Sequence, residues 1–199
     1  MKKDFVYLAS ASPRRSELLR QIGVPFQVRP AAIAEERLAR ETPEAYVARL
    51  AAAKAETIWA QAAGDSRPVL AADTAVVLDG DVLGKPETAT EAAAMLERLS
   101  GRTHRVLTAV ALRHAGGIET VLSESEVRFR ATTAAERLAY CRTGEPFDKA
   151  GGYGIQGHAA VFVEHLKGSY SGVVGLPLYE TAALLKRCGI DFWLSARAA

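Results

Sequence analysis

Cysteine is nearly missing from this 199-residue chain: there are two, Cys141 and Cys188, with no CxxC spacing and no cysteine and histidine grouping. That excludes a disulfide framework and a structural zinc site, and it fits a reducing compartment. Charge of one sign is also lacking, since the formal net charge is +2. Nucleic-acid-binding domains gather a larger basic excess on one face, so no nucleic-acid partner is expected, while a small anionic ligand stays compatible. No apolar run is long enough to span a membrane. The opening stretch Asp4-Phe5-Val6-Tyr7-Leu8-Ala9-Ser10 is too short and too broken for a signal peptide. A cytoplasmic protein without membrane attachment is expected. Repeats, low-complexity tracts and linker-like stretches are absent too, so residues 1–199 are read as a single domain.

What is present alternates strands and helices. Phe5 to Ala9 reads as a short buried strand ending in Ser10-Ala11-Ser12-Pro13. From Pro13 the pattern turns helical, with Gly23 as the stop, and a second strand follows near Phe26 to Arg29. Thr42-Pro43-Glu44 is a helix start, with an N-cap hydroxyl, proline in the first turn and an acid behind it; that helix is expected to reach Gln61. Pro68 to Leu78 reads as a core strand, Asp79-Gly80 as a turn into Val82-Leu83, and Thr88 to Leu99 as a helix. Arg105 to His114 and Ile118 to Phe129 suggest a long antiparallel hairpin. Residues 132–143 look helical, 145–158 form a glycine-rich loop, Ala159 to Leu166 is strand-like, and Gly175 to Cys188 holds a last helix begun by Pro177. The fold class is α/β or α+β with a mixed sheet and flanking helices.

Several residues fit structure badly and chemistry well. With Ser12 as N-cap, Arg14 and Arg15 fall in the first helical turn, where the macrodipole is positive and cations cost ~0.3–1 kcal/mol each. Either both side chains reach water, or an anion sits at the helix end, held by free N–H groups, serine hydroxyls and two guanidinium forks. Lys54 shares the apolar stripe of Val47, Leu50 and Ile58, so its ammonium either snorkels to the surface or aims at a phosphate. Asp73 lies in the almost wholly apolar run Val69 to Leu78. Burying a lone carboxylate there costs several kcal/mol, so it needs a metal, a cation or a strand end facing a cleft. The alternative is a structural ion pair, with Lys54 or Arg14 as partner.

Two familiar motifs are rejected. Gly84-Lys85-Pro86 lacks the Walker spacing and has proline where Ser or Thr would hold magnesium. Gly152-Tyr153-Gly154-Ile155-Gln156-Gly157 matches GxGxxG literally, but a strand-like segment follows it where a helix is needed. Dense glycine there suits tight turns or close approach to a ligand, with Tyr153 and Gln156 as candidates to touch a base. His104, His114, His158 and His165 are scattered without ligand spacing.

Taken in order, Leu8-Ala9-Ser10-Ala11-Ser12-Pro13-Arg14-Arg15, Ala72-Asp73-Thr74, Gly84-Lys85-Pro86 and the run Asp148 to Gly157 resemble the Maf family of nucleotide pyrophosphatases, over residues 5 to about 188. The resemblance implies a Maf/ITPase-like α/β fold with two lobes around a central cleft, a homodimer, and a divalent metal, magnesium or manganese. It implies cleavage of a nucleoside triphosphate between the α and β phosphates. By position, Asp73 matches the proton acceptor; Ser10, Arg14, Arg15, Lys54 and Lys85 match phosphate contacts; and Glu35 matches an acid tied to metal and catalysis, with Glu36 as its neighbour. Arg14, Thr74 and Gln156 match the three positions of substrate choice, in the combination of the branch acting on dTTP and UTP. Modified pyrimidine nucleotides, removed as a house-cleaning step, fall within that expectation. A second reading is a non-enzymatic nucleotide-binding regulator, since Maf relatives have been associated with inhibition of septum formation.

Overall fold

Two crossovers open the chain. In the computed structural model, which describes residues 5–62 and 64–193, strand β1 (Val6–Leu8) leads through helix α1 (Pro13–Gln21) to β2 (Phe26–Val28), which pairs with it in parallel. Helix α2 (Pro43–Gln61) then carries the chain to β3 (Val69–Leu78), which lies parallel to β1 on its other side, with Leu8 opposite Leu70. Parallel neighbours require such crossovers. Both helices start where the sequence says they must. Ser12 and Thr42 hold extended N-cap backbones with proline behind them, and the Thr42 hydroxyl accepts from Ala45 N at 3.2 Å.

The rest of the chain mixes hairpins and helices. Strand β4 (Asp81–Leu83) runs antiparallel to β3, and α3 (Ala89–Leu99) follows. Strands β5 (Thr103–His114) and β6 (Gly117–Phe129) are neighbours joined by two residues, a connection only antiparallel strands allow. After α4 (Ala134–Cys141) come three short 3-10 turns, Glu145–Asp148, Ala150–Gly152 and His158–Phe162. Strand β7 (Val163–Lys167), antiparallel to β6, and helices α5 (Tyr170–Val174) and α6 (Leu178–Arg187) complete the described elements. The sheet order is β2-β1-β3-β5-β6-β7, with β4 attached to β3. The expected mixed sheet with flanking helices is therefore present.

Three expectations are corrected. The region 145–158 is not plain loop, because 3-10 turns occupy both its ends. The segment from Ala159 is a 3-10 turn as far as Phe162, and the strand begins only at Val163; five apolar residues serve either conformation, and periodicity does not separate them. Helix α4 is shorter than 132–143, because Thr133 and Glu136 close a capping box that fixes its start.

Contacts divide the chain into two compact units. The first takes the residues up to Asp73, Thr108–Ser123 and those from Gly175 on. Its core holds Val6, Leu8, Leu19, Val47, Leu50, Ile58 and Leu70, each at most 1% exposed; burying such a side chain contributes ~1.5–3 kcal/mol. The second takes Thr74–Leu107 and Glu124–Val174. Leu78, Leu96, Leu99, Phe129, Tyr153 and Phe162 pack together in its core.

Candidate active site

The first unit builds a polar site where its parallel strands end. Because β1 connects forward to β2 on one side and has β3 on the other, the carboxyl end of β1 is a topological switch point, the place where open parallel sheets bind ligands. Ser10 lies two residues beyond that end and is 6% exposed. Its Oγ accepts from Ser12 N at 3.2 Å and from an Arg15 NH group at 3.0 Å. The Arg15 Nε–H donates to the Gly175 carbonyl at 2.8 Å, so this guanidinium turns back onto the chain and does not reach out into water. Arg14, half-buried, sits beside it in the same first turn, which contains no acid. The α1 terminus thus presents N–H groups, a serine hydroxyl and two arginines at one point, a combination suited to phosphate.

Strand β3 outruns β1. The last paired residue is Leu70, and Asp73 lies three residues further along, 6% exposed. The sequence allowed a strand end, a metal or a cation for this carboxylate; Asp73 is in mid-strand and the structure supplies a cation. Lys54 Nζ, on the buried face of α2, donates to Asp73 Oδ1 at 2.6 Å and also lies 2.5 Å from Glu35 Oε1. Lys54 is thus an ion-pair partner of Asp73. Burial pushes the Asp73 pKa up, Lys54 and then Arg15 oppose that, and Glu35 adds to it; the balance stays above the ordinary value. The raised pKa makes Asp73 a stronger proton acceptor than an ordinary aspartate, which is what a general base requires.

Glu35 lies in the irregular segment between β2 and α2, and its side chain is 45% exposed. Two α2 residues the sequence reading overlooked hold this segment. The Tyr46 hydroxyl donates to the Glu35 carbonyl at 2.9 Å, and Arg49, paired with Glu41 at 2.6 Å, donates to the Glu36 carbonyl at 3.0 Å. Burial raises the Tyr46 pKa, and the charges of Asp73 and Glu35 add to the effect. Tyr46, Leu50 and Lys54 recur every four residues, so helical spacing puts Tyr46 on the Lys54 face; that signal was available in the sequence. The Glu36 contact is through its backbone, whereas Glu35 places its carboxylate on Lys54.

Ser10, Arg14, Arg15, Glu35, Lys54 and Asp73 therefore all belong to the first unit. The other three candidates belong to the second. Thr74 is half-buried and follows Asp73 on β3, Lys85 is exposed just after β4, and Gln156 is exposed between two 3-10 turns. In that unit Tyr153, a candidate to touch a base, is instead buried: its hydroxyl is 2.8 Å from His104 Nε2.

Asp73 and Glu35 each aim a carboxylate oxygen at one positive centre, the Lys54 ammonium. Two hard oxygen donors converging on a cation are the donor chemistry of magnesium-type ions, so these two acids fit a divalent metal. Among the described residues His114, Glu119 and Cys188 also place possible ligand atoms within 4.8 Å of one another, which sequence spacing did not indicate. Gly116 N–H donates to His114 Nδ1 at 3.2 Å, which leaves the ring proton on Nε2, facing Glu119 Oε1 at 3.4 Å. Arg187 takes the other Glu119 oxygen at 3.1 Å, so both oxygens of that carboxylate already face nitrogen donors.

Comparison with known proteins gives the family. Residues 5–188 match the family model described as Maf-like protein. The chain is 52% identical over 185 residues to the dTTP/UTP pyrophosphatase of Methylobacillus flagellatus, covering 93% of each chain. It is 50% identical over 198 residues to that of Cupriavidus pinatubonensis, covering 95% of this chain and 99% of the relative. It is 51% identical over 195 residues to that of Ralstonia nicotianae, covering 93% and 94%.

Proposed function

This chain belongs to the Maf family, and we propose that it is a nucleoside triphosphate pyrophosphatase that hydrolyses dTTP and UTP to the monophosphate and pyrophosphate. The observation that carries the reading is the convergence of Asp73 and Glu35 on Lys54 in the unit whose α1 terminus gathers Ser10, Arg14 and Arg15. The names and the near-complete coverage of its relatives support the choice of substrates.

In this reaction water forms a bond to the α-phosphorus while the bridging bond to the β-phosphate breaks. Lys54 engages Asp73 Oδ1, so the water's proton passes to Oδ2. The departing pyrophosphate gains negative charge, and Arg14, Arg15, the Ser10 hydroxyl and the α1 N–H groups stabilise it. Asp73 and Glu35 would hold the divalent metal, magnesium or manganese, which when bound supplies charge neutralisation on the phosphate oxygens. Lys85 adds a further phosphate contact, and Arg14, Thr74 and Gln156 select the base. We further propose that residues 1–199 act as one domain, as a homodimer, in the cytoplasm. No described helix is long and apolar enough to cross a membrane, and both cysteines are unbridged, which is compatible with that compartment.

The test is product identity. Protein mixed with UTP or dTTP and magnesium should release pyrophosphate and the monophosphate in equal amounts, and orthophosphate as the first product would overturn the assignment.

A further inference from the structure

The segment that carries Gln156 is wound around a carboxylate. Gly157 N donates to the Gly154 carbonyl at 3.0 Å, closing a four-residue turn with Ile155 and Gln156 at its centre. Ile155 packs on the hydrophobic core of the second unit, and Gln156 is exposed. Before this turn, the Tyr153 hydroxyl is tied to buried His104 at 2.8 Å. Beyond it stands Glu145, whose side chain is only 12% exposed. Its Oε2 accepts from His158 N at 2.8 Å and lies 2.8 Å from His158 Nδ1, while its Oε1 accepts from the Tyr140 hydroxyl at 3.0 Å and from Ala159 N at 3.4 Å. The Glu145 carbonyl takes the Lys149 ammonium at 2.7 Å. The turn's glycines are where the chain touches this pair. A Cβ on Gly157 would lie 2.3–2.5 Å from the Glu145 carboxylate, and one on Gly154 would lie 2.8 Å from Lys149 Cε.

We propose that Glu145 is a positioning residue for nucleotide selection: its carboxylate is the post around which the Gly154–Gly157 turn is wound, and it fixes where the Gln156 amide is presented to the base. This rests on Gln156 being a position of base choice. A hydrogen-bonding amide discriminates only when it is held in place, and a displacement of about 1 Å costs about 10²-fold in a positioned site. The carboxylate suits the task because it is an acceptor alone and meets donors from three residues at once.

The experiment compares kcat and KM for UTP, dTTP, CTP and GTP across wild type, Glu145→Ala, Gln156→Ala and the double variant. Glu145→Ala should raise KM for UTP about tenfold or more with a smaller change in kcat, and should reduce the preference for UTP towards that of Gln156→Ala. The double variant should be no less selective than Gln156→Ala, because both changes remove one device. Gly157→Ala, which drives a methyl into the carboxylate while keeping both side chains, should reproduce the effect and serves if Glu145→Ala does not fold. A lowered Tm with unchanged nucleotide preference would overturn the proposal, as would losses of selectivity that multiply in the double variant. If wild type and Gln156→Ala share one preference, the Gln156 reading falls and takes the proposal with it. If the protein binds but does not cleave these nucleotides, calorimetric affinities for the same panel decide between the same outcomes.

Discussion

Each of the two units buries an ionisable group, and the surroundings treat the two in opposite ways. Asp73, 6% exposed, is ringed by charge, with Lys54 at 2.6 Å and Arg15 and Glu35 acting on it through space. His104, 2% exposed, is shifted by burial alone, which pushes its pKa down to about 4. Its neighbours are rings: Phe129 at 5.1 Å and Tyr153 at 5.4 Å between centroids, each edge-on. Counter-charges let a buried group keep its charge and exchange a proton, whereas a cage of rings holds it neutral. The first arrangement is suited to chemistry and the second to holding a loop. The tautomer agrees with that second role. With Tyr153 donating to His104 Nε2, one buried atom, Nδ1, is left without a hydrogen-bond partner, whereas the opposite tautomer would also strand the tyrosine proton.

The comparison breaks most sharply at Asp73. Asp73→Asn should lower kcat by about 10³-fold or more, since the group that takes the proton is gone. It should not lower Tm. A carboxylate whose folded pKa lies above its unfolded value adds stability only at low pH and loses it as pH rises, so Asn removes a group whose ionisation opposes folding, while its amide oxygen and Glu35 still accept from Lys54. Pyrophosphate release together with calorimetric melting at pH 7.5 checks both halves. A large fall in Tm would mean that the buried pair is primarily structural.

Much of this contrast was legible in the sequence, and the reasons are local. Proline behind Ser12 and Thr42 fixes the starts of α1 and α2, and those starts place Arg14, Arg15 and Lys54. A lone carboxylate in an apolar run marks Asp73 as needing a partner, and the apolar stripe of α2 marks Lys54 as one of two candidates. That Lys54 makes the contact depends on how α2 lies against β3, and that is a packing result absent from either segment alone. Glu145 was invisible for the same reason. It is one acid in a loop, and its donors, Tyr140, His158 and Ala159, come from segments on both sides of the glycine run. In the sequence His104 reads as one of four scattered histidines, because nothing nearby shows that Tyr153 reaches it.

Removing the counter-charge sharpens the contrast from the other side. In Lys54→Met the charge attraction and hydrogen bond that lower the Asp73 pKa disappear, while burial and Glu35, which raise it, remain. The acid limb of the kcat profile should move to higher pH, so that the variant loses activity at a pH where wild type is fully active. On the alkaline plateau kcat should still be about 10²-fold down, through the lost phosphate and water positioning. A profile that keeps its wild-type acid limb would separate Lys54 from Asp73.

The smallest expected effect lies in the other unit and concerns stability alone. The unfolded His104 takes up a proton near pH 6.5, and the folded one only near 4. Between those values the unfolded state binds more protons, so stability must fall as pH drops below 6.5, by about 2 kcal/mol at pH 5 and by about 3 kcal/mol in all, at ~1.36 kcal/mol per pH unit. His104→Phe keeps an aromatic ring among Phe129 and Tyr153 and removes the titrating group. Its stability in urea at pH 7.5 should be lower than wild type, because the Tyr153 hydroxyl loses its partner. The drop between pH 7.5 and pH 5, however, should shrink by about 2 kcal/mol. Contributions from all other groups are common to both proteins and cancel in the difference. An unchanged drop would mean that His104 already carries a proton in the folded state, and the neutral, ring-caged side of the comparison would be lost.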